Sequence, residues 1–111
     1  DLNNLLSKQS GEARFRWLHA LDGSGQDLLQ IAKETFEDVA WIMSKKEIID
    51  EGWLGSLVDR TVEARLGDVA LIAREKIGFT DPAEKMPFKL ITRHGSLTKE
   101  EMHVPLLSAV T

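Results

Sequence analysis

The sequence contains no cysteine. This absence excludes disulfide-stapled scaffolds, zinc sites built from thiolates and enzymes with a cysteine nucleophile. The sequence also lacks long hydrophobic runs, since stretches such as Val69–Ala73 are far too short to cross a bilayer. It shows no signal peptide pattern. From these absences we expect a cytoplasmic protein.

The sequence also has no excess of basic residues. The chain has 14 Lys and Arg against 18 Asp and Glu, so its formal net charge is -4. Nucleic acids and anionic membrane surfaces are bound through clustered Lys and Arg. Neither is therefore expected as the main partner.

The length limits the chain to one ordinary domain. Its 111 residues, 42% of them hydrophobic, can bury a core, and we treat residues 1–111 as one folded unit. The chain begins with Asp1 and not with methionine, which suggests an excised domain or a processed product. Residues 1–12 are largely polar and are predicted to form a loosely ordered N-terminal segment.

Periodicity predicts both strands and helices in the first half. Residues 13–21 alternate at strand period, and residues 22–25 form a loop. A helix is predicted over residues 27–39 with Asp27 as its N-cap. Residues 41–43 are predicted to form a short buried strand.

Local signals then predict two short helices. Ser44 and Glu47 have the spacing of a capping box, in which each side chain accepts a free amide of the other residue. That helix is predicted to end at Gly52. Apolar residues at helical spacing predict another helix over residues 57–66.

The C-terminal part is predicted to hold more strands. The apolar run Val69–Ala73 is typical of a strand covered on both faces. Residues 76–79 are predicted as its hairpin partner and residues 88–92 as a further strand. Thr98 and Glu101 have the spacing of a second capping box.

The mixture of elements predicts an α/β (α+β) domain, with a small mixed sheet and flanking helices. Residues 106–110 are predicted to be an extended apolar tail. The strand order is not readable from one sequence.

Three histidines are the first candidates for chemistry. His94 falls where a predicted strand ends and the chain turns through Gly95, the position where α/β proteins often place their sites. His19 lies within a predicted strand and His103 on a short helix. For both of these a packing or surface role is the expected one.

No other residue type forms a convincing site. Carboxylates such as Glu34 and Asp50 lie on predicted solvated helix faces, and Glu100 and Glu101 suit the first turn of a helix, where they complement its dipole. The serines lack a nucleophile-elbow motif, and no glycine-rich phosphate loop is present. A complete metal site needs at least three protein ligands, and one histidine does not supply them.

Residues 93–107 read RHGSLTKEEMHVPLL and resemble the C-terminal signature of the alkaline phosphatase superfamily. More narrowly, they are similar to the bacterial type I phosphodiesterase/nucleotide pyrophosphatase family, in which a His-Gly-Gly/Ser-Leu-Thr/Ser segment leads into Glu-Met and then Val-Pro-Leu. A weaker similarity runs from residues 67–73 to Asp81-Pro82. Residues 11–14 and 44–47 also resemble the region after the family's Asp-His-Gly motif.

The resemblance implies that His94 is a ligand of one of two divalent metals, usually zinc. It implies no catalytic residue in this chain, because the family's Thr or Ser nucleophile and its aspartate ligands lie further toward the N-terminus. The chain would then be the C-terminal and cap portion of an alkaline-phosphatase-like fold. Its partners would be the N-terminal catalytic portion of the same protein and a nucleotide or other phosphoester substrate.

We therefore expect part of a metal-dependent phosphodiesterase or nucleotide pyrophosphatase that is inactive and does not retain zinc by itself. Other chemistries of the superfamily, such as phosphatase, phosphonate hydrolase or phosphomutase, stay open. The alternative from a different class is a non-catalytic α/β regulatory or interaction domain. A homo-oligomer formed through exposed strand edges is a further expectation.

Overall fold

A computed structural model describes residues 1–85 and 90–110 of the chain. In chain order its elements are the 3-10 helix Leu2–Leu5, β1 (Leu6–Gly11), β2 (Phe15–Ala20), α1 (Gly25–Phe36), β3 (Ala40–Ser44), α2 (Lys45–Asp50), α3 (Arg60–Glu63), β4 (Val69–Ala73) and α4 (Lys99–Met102). The strands form one antiparallel sheet in the order β1-β2-β4-β3. The predicted α+β class, with a small sheet and flanking helices, is confirmed. The prediction that the sheet is mixed is wrong, because all three strand pairs are antiparallel.

The central strand β4 holds the core together, and every one of its residues is buried. On one face of the sheet the buried side chains are Leu18, Leu28, Ala32, Val69 and Leu71. On the other face they are Ile48, Ala70 and Ile72. A strand covered on both faces needs an apolar side chain at every position, which is why its continuous apolar run predicted it.

Helix α1 covers the first of these faces through Leu28 and Ala32, which are fully buried. They lie four positions apart and therefore share one side of the helix. The helix begins at Gly25, after Ser24, so Asp27 falls inside the first turn. The prediction that Asp27 is the N-cap is wrong, and its carboxylate instead lies near the positive end of the helix dipole.

The capping box at the start of α2 is confirmed. The Glu47 amide donates to Ser44 Oγ at 3.1 Å, and the Ser44 amide donates to Glu47 Oε2 at 2.7 Å. After the helix, Gly52 takes a φ of +78°, a left-handed conformation that suits glycine at a helix end.

The N-terminal segment is more ordered than its polar composition predicts. Strand β1 pairs with β2 in a register that places Gly11 opposite Arg16. The prediction of loose order over residues 1–12 is wrong for Leu6–Gly11, because the backbone hydrogen bonds to β2 do not depend on apolar side chains. Three side chains at this end also pack on the α1 side of the core: Leu2, Leu5 and Leu6.

Residues 76–79 are not the hairpin partner of β4, and that prediction is wrong. Both edges of β4 are already taken, by β2 and by β3. The Phe79 amide instead donates to the Ala13 carbonyl at 2.6 Å. The Phe79 ring meets Phe36 of α1 edge-on, with ring centroids 5.7 Å apart.

The remaining predicted elements are shorter than expected. The helix predicted over residues 57–66 is reduced to α3, which Asp59 caps by accepting the Thr61 amide. Of the strand predicted over residues 88–92, residues 88 and 89 lie outside the described part of the chain. Residues 90–92 form no strand, and Ile91 is fully exposed.

Residues 106–110 contain no helix or strand and are exposed, in keeping with the predicted tail. Within residues 1–85 and 90–110, none of the helices has both the length and the apolar character needed to cross a membrane.

Candidate metal-ligand site at His94

The loop that carries His94 is anchored to the end of β4. The Ser96 side chain is buried, and its hydroxyl donates to the carbonyl of Ala73, the last residue of β4. The next side chain, Leu97, packs against the core face that contains Ile48 and Ile72. Together these contacts fix the backbone immediately after His94.

Gly95 makes the turn itself. Its φ is +106°, in the left-handed region that L side chains rarely adopt. A Cβ at this position would lie 3.2 Å from the Cβ of Glu12. Glycine is therefore needed here both for the backbone conformation and for the close approach to Glu12.

A second contact that holds the loop is the ion pair between Arg14 and Glu101. Arg14 Nε donates to Glu101 Oε1 at 2.6 Å, and Arg14 Nη2 donates to Glu101 Oε2 at 3.0 Å. The side chains are only 11% and 17% exposed. A two-pronged contact of this kind is among the stronger hydrogen-bonding arrangements in proteins.

Glu101 also receives hydrogen bonds from the loop. The Thr98 hydroxyl donates to Oε2 at 2.6 Å, and the Ser96 amide donates to Oε1 at 3.3 Å. The hydrogen bond from Arg14, together with those from Thr98 and Ser96, lowers the pKa of Glu101 to about 2. The carboxylate is therefore ionised throughout the neutral range.

These contacts correct the predicted second capping box. Thr98 does occupy the N-cap of α4, but its side chain accepts no helix amide. Its hydroxyl donates to Glu101 instead, and the same carboxylate also binds Arg14. Glu101 thus acts mainly on Arg14 and the loop, and not only on the helix dipole.

Arg14 joins a third segment to this arrangement. Its Nη1 donates to the carbonyl of Glu75 at 2.8 Å and to that of Ile77 at 2.6 Å. The hydrogen bond to Glu101 raises the pKa of Arg14 above its ordinary value. One guanidinium therefore links the start of β2, the segment after β4 and the His94 loop.

Sequence reasoning missed Arg14. Its partner Glu101 lies 87 positions away. No local sequence pattern indicates such a pair, and a single arginine at the start of a strand is too common to mark a special role. Only co-variation of the two positions in related sequences could have revealed it.

His94 itself is exposed. No group of three or more His, Cys, Asp or Glu side chains that could hold a metal ion occurs in the described residues. The described residues therefore do not supply enough ligands for a complete zinc site. His94 can act as a metal ligand only if the remaining ligands come from elsewhere.

An open cleft of about 860 Å³ adjoins the loop on the Arg93 side. Its charged lining consists of the cations Arg14, Arg74, Lys76 and Arg93 and the carboxylates of Glu75, Glu100 and Glu101. The opposing charges nearly balance. Its volume falls in the range of ordinary small-molecule sites.

The other two histidines lie apart from this loop. His19 Nε2 and the Ser10 hydroxyl are 2.8 Å apart across β1 and β2. Burial, assisted by nearby Lys8, lowers the pKa of His19 below its ordinary value. His103 is exposed at the end of α4.

The Ser10–His19 pair is only half of a nucleophile arrangement, which also needs a group that orients the base. The carboxylate of Asp68, whose charge acts on His19, instead accepts the Ala20 amide at 2.8 Å. His19 is therefore a paired strand histidine, as its sequence context indicated.

Comparisons with known proteins add no further assignment. No protein-family model, no curated protein and no solved structure matches this chain.

Proposed function

We propose that this chain is the C-terminal and cap portion of a metal-dependent phosphodiesterase or nucleotide pyrophosphatase, to which it contributes His94 as one metal ligand. The exposure of His94 beside an anchored loop carries the proposal. A ligand histidine must present its ring outward while the backbone behind it stays fixed. Ser96, Leu97 and the Arg14–Glu101 pair supply that fixed backbone.

The cleft supports the same function. It lies next to the His94 loop, and among its cations Lys76 provides an ammonium group that suits a phosphoester. Bound by the intact protein, the two metals would polarise the phosphoryl group and activate the hydroxyl nucleophile. This chain's own share is to hold His94 in place and to shape one wall of the pocket.

We also propose that the protein is cytoplasmic. A chain without cysteine has no need of an oxidising environment and is compatible with the cytoplasm.

The test uses the full-length protein that contains this chain, purified with zinc and assayed on p-nitrophenyl-TMP. His94→Ala should lower kcat/KM by more than about 100-fold, because even residues that merely orient ligands cost about 10- to 100-fold. It should also remove one of the two bound metals. His103→Ala is the matched control, because that exposed histidine has no proposed role, and it should leave both readouts unchanged.

Full activity and full zinc content in His94→Ala would contradict the metal role. Unfolding of that variant with its metal retained would contradict it too, because a ligand histidine contributes little to the core. Chelator-sensitive turnover by the 111-residue chain alone would show that the catalytic groups do not lie outside it.

A non-catalytic interaction domain is the second candidate. It is favoured by the apolar tail, where Val104 is 82%, Leu106 91% and Leu107 92% exposed. Exposed apolar side chains that follow one another are typical of a surface that a partner covers. The coding sequence before Asp1 separates the two candidates: a Thr or Ser nucleophile and an Asp-His-Gly motif favour the enzyme, and their absence favours the interaction domain.

A further inference from the structure

The charged side chains that line the cleft beside the His94 loop differ in how far they are already engaged. Arg14 and Glu101 bind each other through two hydrogen bonds. Arg14 also donates to two backbone carbonyls, and Glu101 also accepts from Thr98 and Ser96. Their charges neutralise each other, so this pair offers a ligand no net charge.

The other arginines of the lining are engaged as well. Arg74 Nη2 donates to the carbonyls of Glu37 and Asp38, and Arg74 Nε lies 3.9 Å from Oε1 of Glu75. Arg93 also has an interaction partner. Glu75 therefore already has a cation beside it.

Lys76 and Glu100 are the charged side chains of the lining that remain. Both are exposed. Within residues 1–85 and 90–110, neither forms an ion pair, so they do not pair with each other although they line the same cleft. One ammonium and one carboxylate are thus available to a ligand, with space between them.

These two groups determine which ligands the cleft complements. An ammonium binds an anionic phosphoester oxygen, and a carboxylate binds a cation. A ligand that carries negative charge alone meets a like charge at Glu100, and such a juxtaposition disfavours binding. A ligand with one charge of each sign satisfies both Lys76 and Glu100.

We propose that the cleft selects phosphodiesters whose alcohol carries an ammonium group, in preference to nucleotides. The proposal rests on the phosphodiesterase function proposed above and narrows its substrate class. Lys76 binds the phosphodiester anion, and Glu100 binds the cation of the alcohol. Ile91 is fully exposed on the same lining and offers an apolar surface to the carbon chain between the two charges.

The first test uses three chromogenic phosphodiesters that all release p-nitrophenolate, assayed with the full-length protein that contains this chain. p-Nitrophenyl-phosphorylcholine has a cationic alcohol, p-nitrophenyl-TMP has a nucleoside, and bis(p-nitrophenyl) phosphate has neither. Wild type should show its highest kcat/KM on the choline ester.

Two variants assign that preference to the two side chains. Glu100→Gln should lower the ratio of kcat/KM for the choline ester to that for bis(p-nitrophenyl) phosphate about fivefold, since solvent-exposed ion pairs are of modest strength. Lys76→Met should lower kcat/KM for all three substrates alike. High salt should reduce the wild-type ratio toward that of Glu100→Gln, because salt screens exposed charges. Glu63→Gln, which removes an equal charge outside the cleft, is the matched control and should leave the ratio unchanged.

The outcomes separate this proposal from the function on which it rests. If none of the three esters is hydrolysed, the phosphodiesterase function fails and the substrate class fails with it. If all three are hydrolysed but the nucleotide ester is preferred, or Glu100→Gln changes the ratio no more than Glu63→Gln, only the substrate class is overturned. An unchanged kcat/KM in Lys76→Met would overturn the role of Lys76.

A binding experiment on the 111-residue chain needs no catalysis. In amide NMR spectra, phosphocholine should shift the signals around both Lys76 and Glu100. Inorganic phosphate should shift only those around Lys76, and choline only those around Glu100. If phosphocholine binds no more tightly than inorganic phosphate, or shifts neither group of signals, the cleft does not select a ligand of both charges and the proposal is overturned.

Discussion

Arg14 and Glu101 hold opposite ends of the chain together, with Nε–Oε1 and Nη2–Oε2 distances of 2.6 and 3.0 Å. The pair connects the start of β2 with α4. It also encloses the loop that presents His94, because Glu101 accepts the Ser96 amide. The position of His94 therefore depends on a contact that neither residue's local sequence specifies.

Replacing Arg14 should destabilise the fold. Arg14→Ala leaves a largely enclosed carboxylate without its cation and frees the carbonyls of Glu75 and Ile77, for an expected loss of about 2 kcal/mol. Urea denaturation measures the loss. Lys46→Ala breaks the fully exposed pair with Asp50 and serves as the control, in which no measurable change is expected. Equal losses in the two variants would contradict the special role of Arg14.

Acid should weaken this contact in a defined range. The pKa of Glu101 is about 2 in the folded protein against an ordinary value of 4.5. Its stabilising contribution is complete above about pH 4.5 and is lost as the pH falls toward 2, because the unfolded chain then binds the proton first. The free energy of unfolding should therefore fall less steeply between pH 5 and pH 2 in Glu101→Gln than in wild type.

The comparison of slopes is needed because Glu47 and Asp59 also have lowered pKa values, from their hydrogen bonds to Ser44 and Thr61. Parallel curves for wild type and Glu101→Gln would show that Glu101 adds nothing to the acid sensitivity.

Ser96 should matter through its hydroxyl. Ser96→Ala leaves the Ala73 carbonyl without this donor inside the protein, for an expected loss of about 1 kcal/mol. Thermal unfolding followed by circular dichroism measures it. Ser108→Ala, in the exposed tail, should behave as wild type. If both serines proved equally dispensable, the loop would not be anchored through Ser96.

Gly95 should resist substitution more than Gly25. Gly95→Ala forces an L side chain to a φ of +106° and brings its Cβ against Glu12, for an expected loss of about 1–2 kcal/mol. Gly25→Ala is the control, since that glycine has an ordinary φ and open space around it. Chemical denaturation should separate the two variants, and an unchanged midpoint for Gly95→Ala would contradict the strained turn.

Local features of the fold were predictable from the sequence. The buried strand Val69–Ala73 follows from an uninterrupted apolar run, and the start of α2 follows from Ser44 and Glu47, only three positions apart. Such signals depend on neighbours in the chain, and the sequence displays those directly.

Features that depend on distant partners were not predictable. β1 looked like a loose segment because its order comes from pairing with β2, and residues 76–79 looked like a strand because the occupied edges of β4 are invisible in the sequence. At the candidate site, His94 was singled out by its position and by resemblance. The anchoring roles of Arg14 and Ser96 were missed, since their partners lie 87 and 23 positions away.

The order of the strands also governs how this chain can be made. β4 lies between β2 and β3, yet among the described strands it is the last to be synthesised. A nascent chain that has emerged only as far as Gly67 can form the β1–β2 pair, but it offers β3 no partner. The apolar side chains of β3 therefore stay exposed until β4 has been synthesised. Pairing between strands that are far apart in the sequence also slows folding. Premature termination before Val69 would thus yield a product prone to aggregation, in which the strand AWIMS is open along both edges.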